Sequence, residues 1–233
     1  MSQHPLQRLT SPSRGFSALV HLVGLSSFLA SLDWQRRYPN PVTMRWGGQY
    51  QFLTILGLAM STVAFACGLL ADITLSRRLF QIKNVLSVCS TPLEVLVSIL
   101  YWGICAIDKT LIVPPGYTLP FFPDFGFHAM PALMMTLDLL LLSPPWSVRS
   151  YGAMSISMAV AFLYWGWVEF CFSRNGLYPY PIFELLTTGQ RVALFTFSAM
   201  LMTSSTLLLK WVYGALNGVE ELKKEALHPI KTD

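Results

Sequence analysis

The chain has 233 residues, of which 53% are hydrophobic and only 12% are charged. Soluble domains carry roughly 25% charged residues, so a soluble protein of this composition would lack the polar groups to cover its surface. The formal net charge is +4, and no basic cluster with interleaved aromatic residues is present, which gives no support to nucleic-acid binding.

The hydrophobic residues come in blocks of about 17–25, long enough to cross a bilayer as helices with a rise of about 1.5 Å per residue. We therefore predict a single-domain, all-α membrane protein, a polytopic bundle of about six transmembrane helices. The predicted spans are 15–32, 51–72, 85–107, 126–143, 151–172 and 191–214, with a polar C-terminal tail at 215–233. The first run also fits a signal peptide, but no small-residue cleavage site follows it, which favours a retained span.

The distribution of Lys and Arg indicates the orientation, because positively charged loops favour the cytosolic side. Ten of these residues fall on the side of both termini and six on the other, which favours cytosolic termini in an endoplasmic reticulum, other endomembrane or plasma membrane protein. Arg77, Arg78 and Lys83 are assigned to a basic loop before the third span. The four cysteines lie in hydrophobic runs without a C-x-x-C pair, a pattern that indicates neither disulfides nor a zinc site.

A polar segment that contains Gly47 and Gly48 precedes the hydrophobic part of the second span and ends at Thr54. A hydroxyl there has two interpretations. Ser and Thr in membrane helices commonly bond back to a backbone carbonyl. A Thr hydroxyl also acts as a nucleophile when a base reaches it.

His128 stands at the start of the fourth predicted span. A histidine in a membrane usually faces the bundle interior or a wet cavity. Thr54 and His128 each lie a few residues past the start of their spans, roughly 5 Å inside the interface. The interface is the same for both, because an even number of crossings separates the two span starts. The two are therefore able to share one shallow pocket, as a nucleophile and its base would in acyl transfer.

Further acidic residues have candidate roles near this pair. Asp124 lies one turn before His128 and is placed to accept a hydrogen bond from its ring, and Glu169 is a second candidate for orienting it. Asp138 and Glu94 are expected to share a deeper polar layer, which would either hold helices together or serve a transport path. His128 with Asp124 alone makes a weak metal site, and we predict neither a metal nor a cofactor.

Several short motifs follow one another in a characteristic order. They are Trp46-Gly47-Gly48 with Phe52-Leu53-Thr54, Asp108-Lys109 with Ile112 and Pro114, Gly126-Phe127-His128 with Asp138 beyond it, and Gly176 with Tyr180-Pro181 and Glu184. In order and spacing they resemble the androgen-induced gene 1 and androgen-dependent TFPI-regulating protein family. Phe125 stands where those relatives have a further histidine.

The resemblance implies an atypical integral-membrane hydrolase in which a Thr nucleophile and a His cleave fatty acid esters of hydroxy fatty acids. The two positions correspond to Thr54 and His128, and the implied partners are a membrane lipid substrate and the bilayer itself. From position alone, the backbone amides of Gly47 and Gly48 are candidates for an oxyanion hole. The alternative is a non-enzymatic membrane protein, either a lipid carrier or a regulator. The sequence does not identify a protein partner.

Overall fold

The computed structural model describes residues 13–113, 117–144 and 149–217, and within these ranges the chain forms helices and no strand. In chain order the helices are α1 (Arg14–Arg37), α2 (Leu53–Thr74), α3 (Arg77–Asp108), α4 (Phe121–His128), α5 (Met130–Leu142), α6 (Ser150–Asn175), α7 (Ile182–Leu185) and α8 (Thr188–Asn217). Short 3₁₀ turns, Gly48–Gln51 and Lys109–Leu111, precede α2 and follow α3. Pro114 and most of the predicted tail lie outside the described residues.

Among the described helices, α1, α2, α3, α6 and α8 are long and apolar enough to cross a membrane. The pair α4–α5, which bends by 40° at its break, makes a sixth span if it is counted as one. The protein is therefore an all-α polytopic membrane protein with five to six spans, as predicted from its composition. The break at Ala129 has a local cause, because Pro131 in the first turn of α5 lacks a backbone N–H and favours a helix start.

The helices pack in two groups. Helix α2 lies against α1 and α3, and α5 contacts α1 and α3. Helices α6 and α8 pack against each other, and α3 also contacts α8, which joins the two groups. The loops that follow α1, α3 and α6 therefore meet at the end of the bundle where α2 begins.

A buried ion pair lies near the opposite end of the bundle. Lys83 is fully buried, and its Nζ lies 2.7 Å from Asp138 Oδ2 and donates to Ser143 Oγ at 2.7 Å. The assignment of Lys83 to a loop was wrong. Helix α3 starts at Arg77, so Lys83 lies within the helix, where Asp138 neutralises its charge.

His21 of α1 extends this network. Its Nδ1 lies 2.7 Å from Asp72 Oδ2, and its Nε2 lies 3.0 Å from Asp138 Oδ1. Gly68 makes room for the ring, because a Cβ there would lie 2.5 Å from His21 Nε2. We call His21, Asp72, Lys83 and Asp138 the buried charge network. It takes one residue from each of α1, α2, α3 and α5.

Glu94 lies apart from this network. It is 1% exposed and accepts a hydrogen bond from Ser61 Oγ at 2.8 Å. The expectation that Glu94 and Asp138 share one polar layer was therefore wrong. Glu94 is hydrogen-bonded to Ser61 of α2, whereas Asp138 contacts Lys83 of α3 and His21 of α1.

Replacing Lys83 by Met is expected to destabilise the protein strongly, because it leaves the buried Asp138 without its cation. Loss of one partner of a buried ion pair typically lowers the free energy of unfolding by about 3–5 kcal/mol. The measurement is the thermal melting temperature of the detergent-solubilised protein. Arg78→Met, which removes an exposed cation from the same helix, is the matched control and should change it little. Equal melting temperatures for the two variants would contradict the prediction.

Candidate active site

Thr54 is the second residue of α2 and is 8% exposed. The chain reaches it through Gly47 and Gly48, whose φ angles of 87° and 54° lie in the left-handed region that favours glycine. A Cβ at Gly47 would lie 3.0 Å from Cys171 Sγ on α6. The two glycines therefore let the chain turn closely against α6 just before α2 begins.

Tyr164 of α6 holds the first turn of α2 in place. The Leu53 N–H donates to the Tyr164 hydroxyl at 3.1 Å, and that hydroxyl donates to the Gln51 carbonyl at 2.9 Å. The first amides of a helix lack partners within the helix, so this contact satisfies one of them. It also fixes the position of Thr54 relative to α6.

The Thr54 hydroxyl differs from an ordinary hydroxyl in a membrane helix. Thr62, further along α2, donates to the Leu58 carbonyl at 2.6 Å, which is the usual back-bond. The corresponding acceptor for Thr54 would be the carbonyl of Tyr50, four residues earlier. That carbonyl instead accepts from the Trp167 indole at 2.8 Å. Within the described chain Thr54 makes no back-bond, and its hydroxyl faces Tyr180 instead.

His128 ends α4, directly before the break. Its Nδ1 lies 2.9 Å from Asp124 Oδ1 and 3.1 Å from the Asp124 carbonyl oxygen. Both oxygens accept hydrogen bonds, so Nδ1 carries a proton and donates it, and the neutral ring keeps its lone pair on Nε2. The ring also stacks on Tyr101 of α3, with centroids 3.4 Å apart and planes 4° apart. These contacts hold the imidazole in the tautomer that a general base needs.

Thr54 and His128 line the same cavity. It has a volume of about 80 Å³ and lies at the end of the bundle where α2 begins. We call it the polar cavity because these two side chains, as well as Gln35 and Asn40, line it among mostly apolar ones. No hydrogen bond joins the two side chains in the described structure. Catalytic hydrogen bonds are often long without substrate and tighten in the complex. The structure thus brings the predicted pair to one cavity without a hydrogen bond between them.

A second, almost entirely apolar cavity of about 100 Å³ lies between α2, α3, α6 and α8, and we call it the apolar cavity. Its walls include Leu96, Val97, Leu100, Val160, Ala161, Leu194, Phe195 and Met202. Four residues border both cavities: Thr54, Tyr101, Ile112 and Tyr180. Thr54 therefore stands where an apolar space and a more polar space meet.

Tyr180 comes from the loop between α6 and α7 and reaches the start of α2. Burial raises the pKa of its hydroxyl, and interactions with the Thr54 hydroxyl, Tyr164 and the backbone amides of Leu53 and Thr54 oppose that rise. Its ring packs edge-on against Phe52, with centroids 5.5 Å apart. The result is a phenol donor held next to the Thr54 hydroxyl and the first amides of α2.

The other predicted residues lie in different places. Gly47 and Gly48 line neither cavity, and the Gly48 N–H donates to the Arg45 carbonyl at 3.0 Å, so these glycines shape the turn. Glu169 accepts from Trp165 Nε1 at 3.0 Å and from the Tyr178 hydroxyl at 2.9 Å, and it does not contact His128. Asp138 belongs to the buried charge network at the far end. Of the supporting candidates, only Asp124 contacts His128.

Sequence reasoning missed Tyr101 and Tyr180. Tyr101 lies inside an apolar run, where an aromatic residue is an ordinary core residue. Tyr180 lies in a loop between two predicted spans, where a tyrosine is ordinarily an interfacial anchor. The Tyr180-Pro181 pair was noted only as part of a motif. No pattern within one segment signals that this loop folds back onto α2.

Comparison with known proteins agrees with this architecture. The FAR-17a/AIG1-like protein family matches residues 16–214. The chain belongs to this family. It is 32% identical to a UPF0641 membrane protein of Schizosaccharomyces pombe, over 87% of this chain and 92% of the relative. It is 24% identical to the human androgen-induced gene 1 protein, over 89% of this chain and 95% of the relative. It is 26% identical to the rat androgen-dependent TFPI-regulating protein, over 72% of this chain and 79% of the relative. No solved structure matches the chain.

Tyr164→Phe is expected to destabilise the start of α2, because it leaves the Leu53 amide and the Gln51 carbonyl without their shared partner. Loss of a buried hydrogen-bond partner typically costs about 1–3 kcal/mol. Hydrogen exchange at residues 51–56, followed by mass spectrometry, should become faster in this variant. Tyr151→Phe, at the exposed start of α6, is the control. Unchanged exchange in Tyr164→Phe would show that this contact does not hold the helix start.

Proposed function

We propose that this member of the FAR-17a/AIG1-like family is an integral-membrane hydrolase that cleaves lipid esters, in particular fatty acid esters of hydroxy fatty acids. Thr54 is the nucleophile and His128 the general base. One observation carries the proposal: Thr54 and His128 line one cavity, and the contact with Asp124 leaves His128 Nε2 free to accept a proton.

The reaction follows from these positions in two steps. His128 Nε2 takes the proton of the Thr54 hydroxyl as the oxygen attacks the ester carbonyl. The resulting tetrahedral intermediate collapses when His128 returns that proton to the leaving alcohol, and Thr54 keeps the acyl group. Water, deprotonated by His128, then attacks the acyl-enzyme, and the fatty acid leaves as Thr54 regains its proton. Asp124 stabilises the imidazolium in both steps.

The developing oxyanion needs hydrogen-bond donors beside Thr54. The Gly48 amide is occupied by the Arg45 carbonyl, which argues against the glycines in that role. The Tyr180 hydroxyl and the Thr54 backbone amide are adjacent to the nucleophile, and the amide lies in the first turn of α2, where the helix dipole favours negative charge. Without substrate the Thr54 amide already interacts with the Tyr180 oxygen, so we assign the oxyanion hole to the Tyr180 hydroxyl.

The apolar cavity supplies the site for the acyl chain. It begins at Thr54 and extends between α3, α6 and α8, along side chains that resemble the hydrocarbon interior of the bilayer. A fatty acyl chain that passes from the lipid into this space exchanges one apolar environment for another. The ester carbonyl then reaches Thr54 at the junction of the two cavities.

A lipid carrier would need polar groups along a path through the membrane. Glu94 and Asp138 are the residues that suggested such a path, and both are fully or almost fully buried against protein partners. Neither of them lines the polar cavity or the apolar cavity. Their positions therefore favour a structural role and leave the hydrolase as the better-supported function.

Labelling of membranes with a fluorophosphonate probe tests the nucleophile. The wild-type protein is expected to be labelled, and Thr54→Ala to lose labelling completely because the attacking oxygen is absent. Thr54→Ser, which keeps a hydroxyl, should retain it. Thr62→Ala is the matched control on the same helix, since its hydroxyl bonds to the Leu58 carbonyl. Labelling that persists in folded Thr54→Ala would eliminate Thr54 as the nucleophile.

Tyr180→Phe tests the oxyanion hole. Loss of one oxyanion donor typically lowers kcat by about 10²–10³-fold. We expect a decrease in kcat for a fatty acid ester of a hydroxy fatty acid, with a small change in KM, because the phenol acts mainly in the transition state. The exposed Tyr50→Phe is the control. A rise in KM at constant kcat would instead place Tyr180 in ground-state binding.

A further inference from the structure

The polar cavity contains hydrogen-bonding groups that the proposed reaction does not use. Gln35, in the last turn of α1, is 8% exposed and lines the cavity, and Tyr117 lines it from the loop after α3. Gln35 Nε2 and the Tyr117 hydroxyl are both buried, and neither has a hydrogen-bond partner in the described structure. Buried polar atoms in native proteins nearly always have partners, so these two groups, together with the unpartnered Tyr101 hydroxyl at the same cavity, indicate a place for a ligand.

The position of these groups defines which part of the substrate would reach them. The apolar cavity opens on one side of Thr54, and Gln35 and Tyr117 border only the polar cavity. With the ester carbonyl at Thr54 and the acyl chain in the apolar cavity, the alcohol half of the ester extends towards Gln35 and Tyr117. This placement rests on the function proposed above.

The chemistry of the two side chains limits the ligand. A glutamine amide and a phenol are neutral groups that donate to oxygen, and each also accepts a hydrogen bond. No lysine or arginine is among the described residues that line the polar cavity, whereas phosphate groups are usually held by such cations. A hydroxyl or a carboxyl group suits this wall, and a phosphate head group does not.

We infer that Gln35 and Tyr117 form a subsite for the oxygen-bearing polar end, a hydroxyl or a carboxyl group, of the alcohol half of the lipid ester. This subsite selects esters by what their alcohol half carries. Thr54 and His128 perform the bond cleavage, and Gln35 and Tyr117 determine which esters are held there.

The experiment compares three esters with the same acyl chain, whose alcohol halves have equal length and end in a methyl, a hydroxyl or a carboxyl group. Their affinity is first measured on full-length protein that carries Thr54→Ala, so that binding is read without turnover. We expect at least one polar-ended ester to bind about tenfold more tightly than the methyl-ended ester. Adding Gln35→Leu or Tyr117→Phe should reduce this ratio by about threefold to tenfold, since each removes one hydrogen bond.

The control variants are Gln81→Leu and Tyr151→Phe, which make the same chemical changes at exposed positions of α3 and α6. They should leave the ratio at its starting value. Gln35→Glu separates the two polar ends, because a carboxylate at this position repels a carboxyl-ended ester and still accepts a hydrogen bond from a hydroxyl-ended one.

Equal affinity for all three esters, or no binding of any, would overturn the subsite. The same holds if Gln35→Leu and Tyr117→Phe weaken all three esters by the same factor. Hydrolysis by protein with Thr54 intact is measured separately. Absence of turnover with a preserved affinity ratio would reject the proposed reaction and keep the subsite. Turnover without any preference among the esters would reject the subsite and keep the proposed reaction.

Discussion

The ion pair between Lys83 and Asp138 constrains four helices of the bundle. A charge buried in a membrane protein needs a counter-charge at contact distance, and the Nζ to Oδ2 separation of 2.7 Å provides it. His21 ties Asp138 to Asp72, so α1, α2, α3 and α5 are fixed in depth relative to one another. Because these helices are rigid, the register set at this end also determines how Thr54, Tyr101 and the α4 break meet at the other end.

The candidate site belongs to the end of the bundle where three loops converge. Tyr164 and Tyr180 connect the α6–α8 group to the first turn of α2, and Tyr101 supports His128 from α3. Thr54 therefore lies at the seam between the two helix groups. Two cavities border Thr54 at this seam and leave space there for a ligand.

Much of this organisation follows from the sequence, because bilayer thickness and hydrophobic length together dictate spans, and counting spans puts Thr54 and His128 on the same side. The family resemblance selects the same two residues. The position of Lys83 could not be predicted in this way. A lysine near a span boundary is normally in a loop. The burial of Lys83 is favourable only because it contacts Asp138, and the sequence does not reveal that contact. The roles of Tyr180 and Gln35 could not be predicted for a related reason, since they depend on contacts between distant segments that leave no local sequence pattern.

The break at Ala129 separates the short helix α4 from α5, and Asp124 and His128 lie on the same side of it. His128 and the carboxylate that it contacts therefore move as one unit. A small tilt of α4 about Ala129 would change the gap between His128 Nε2 and the Thr54 oxygen while the Asp124–His128 hydrogen bond stayed intact. The direction of His128 Nε2 is thus adjustable without breaking the hydrogen bond that keeps the proton on Nδ1.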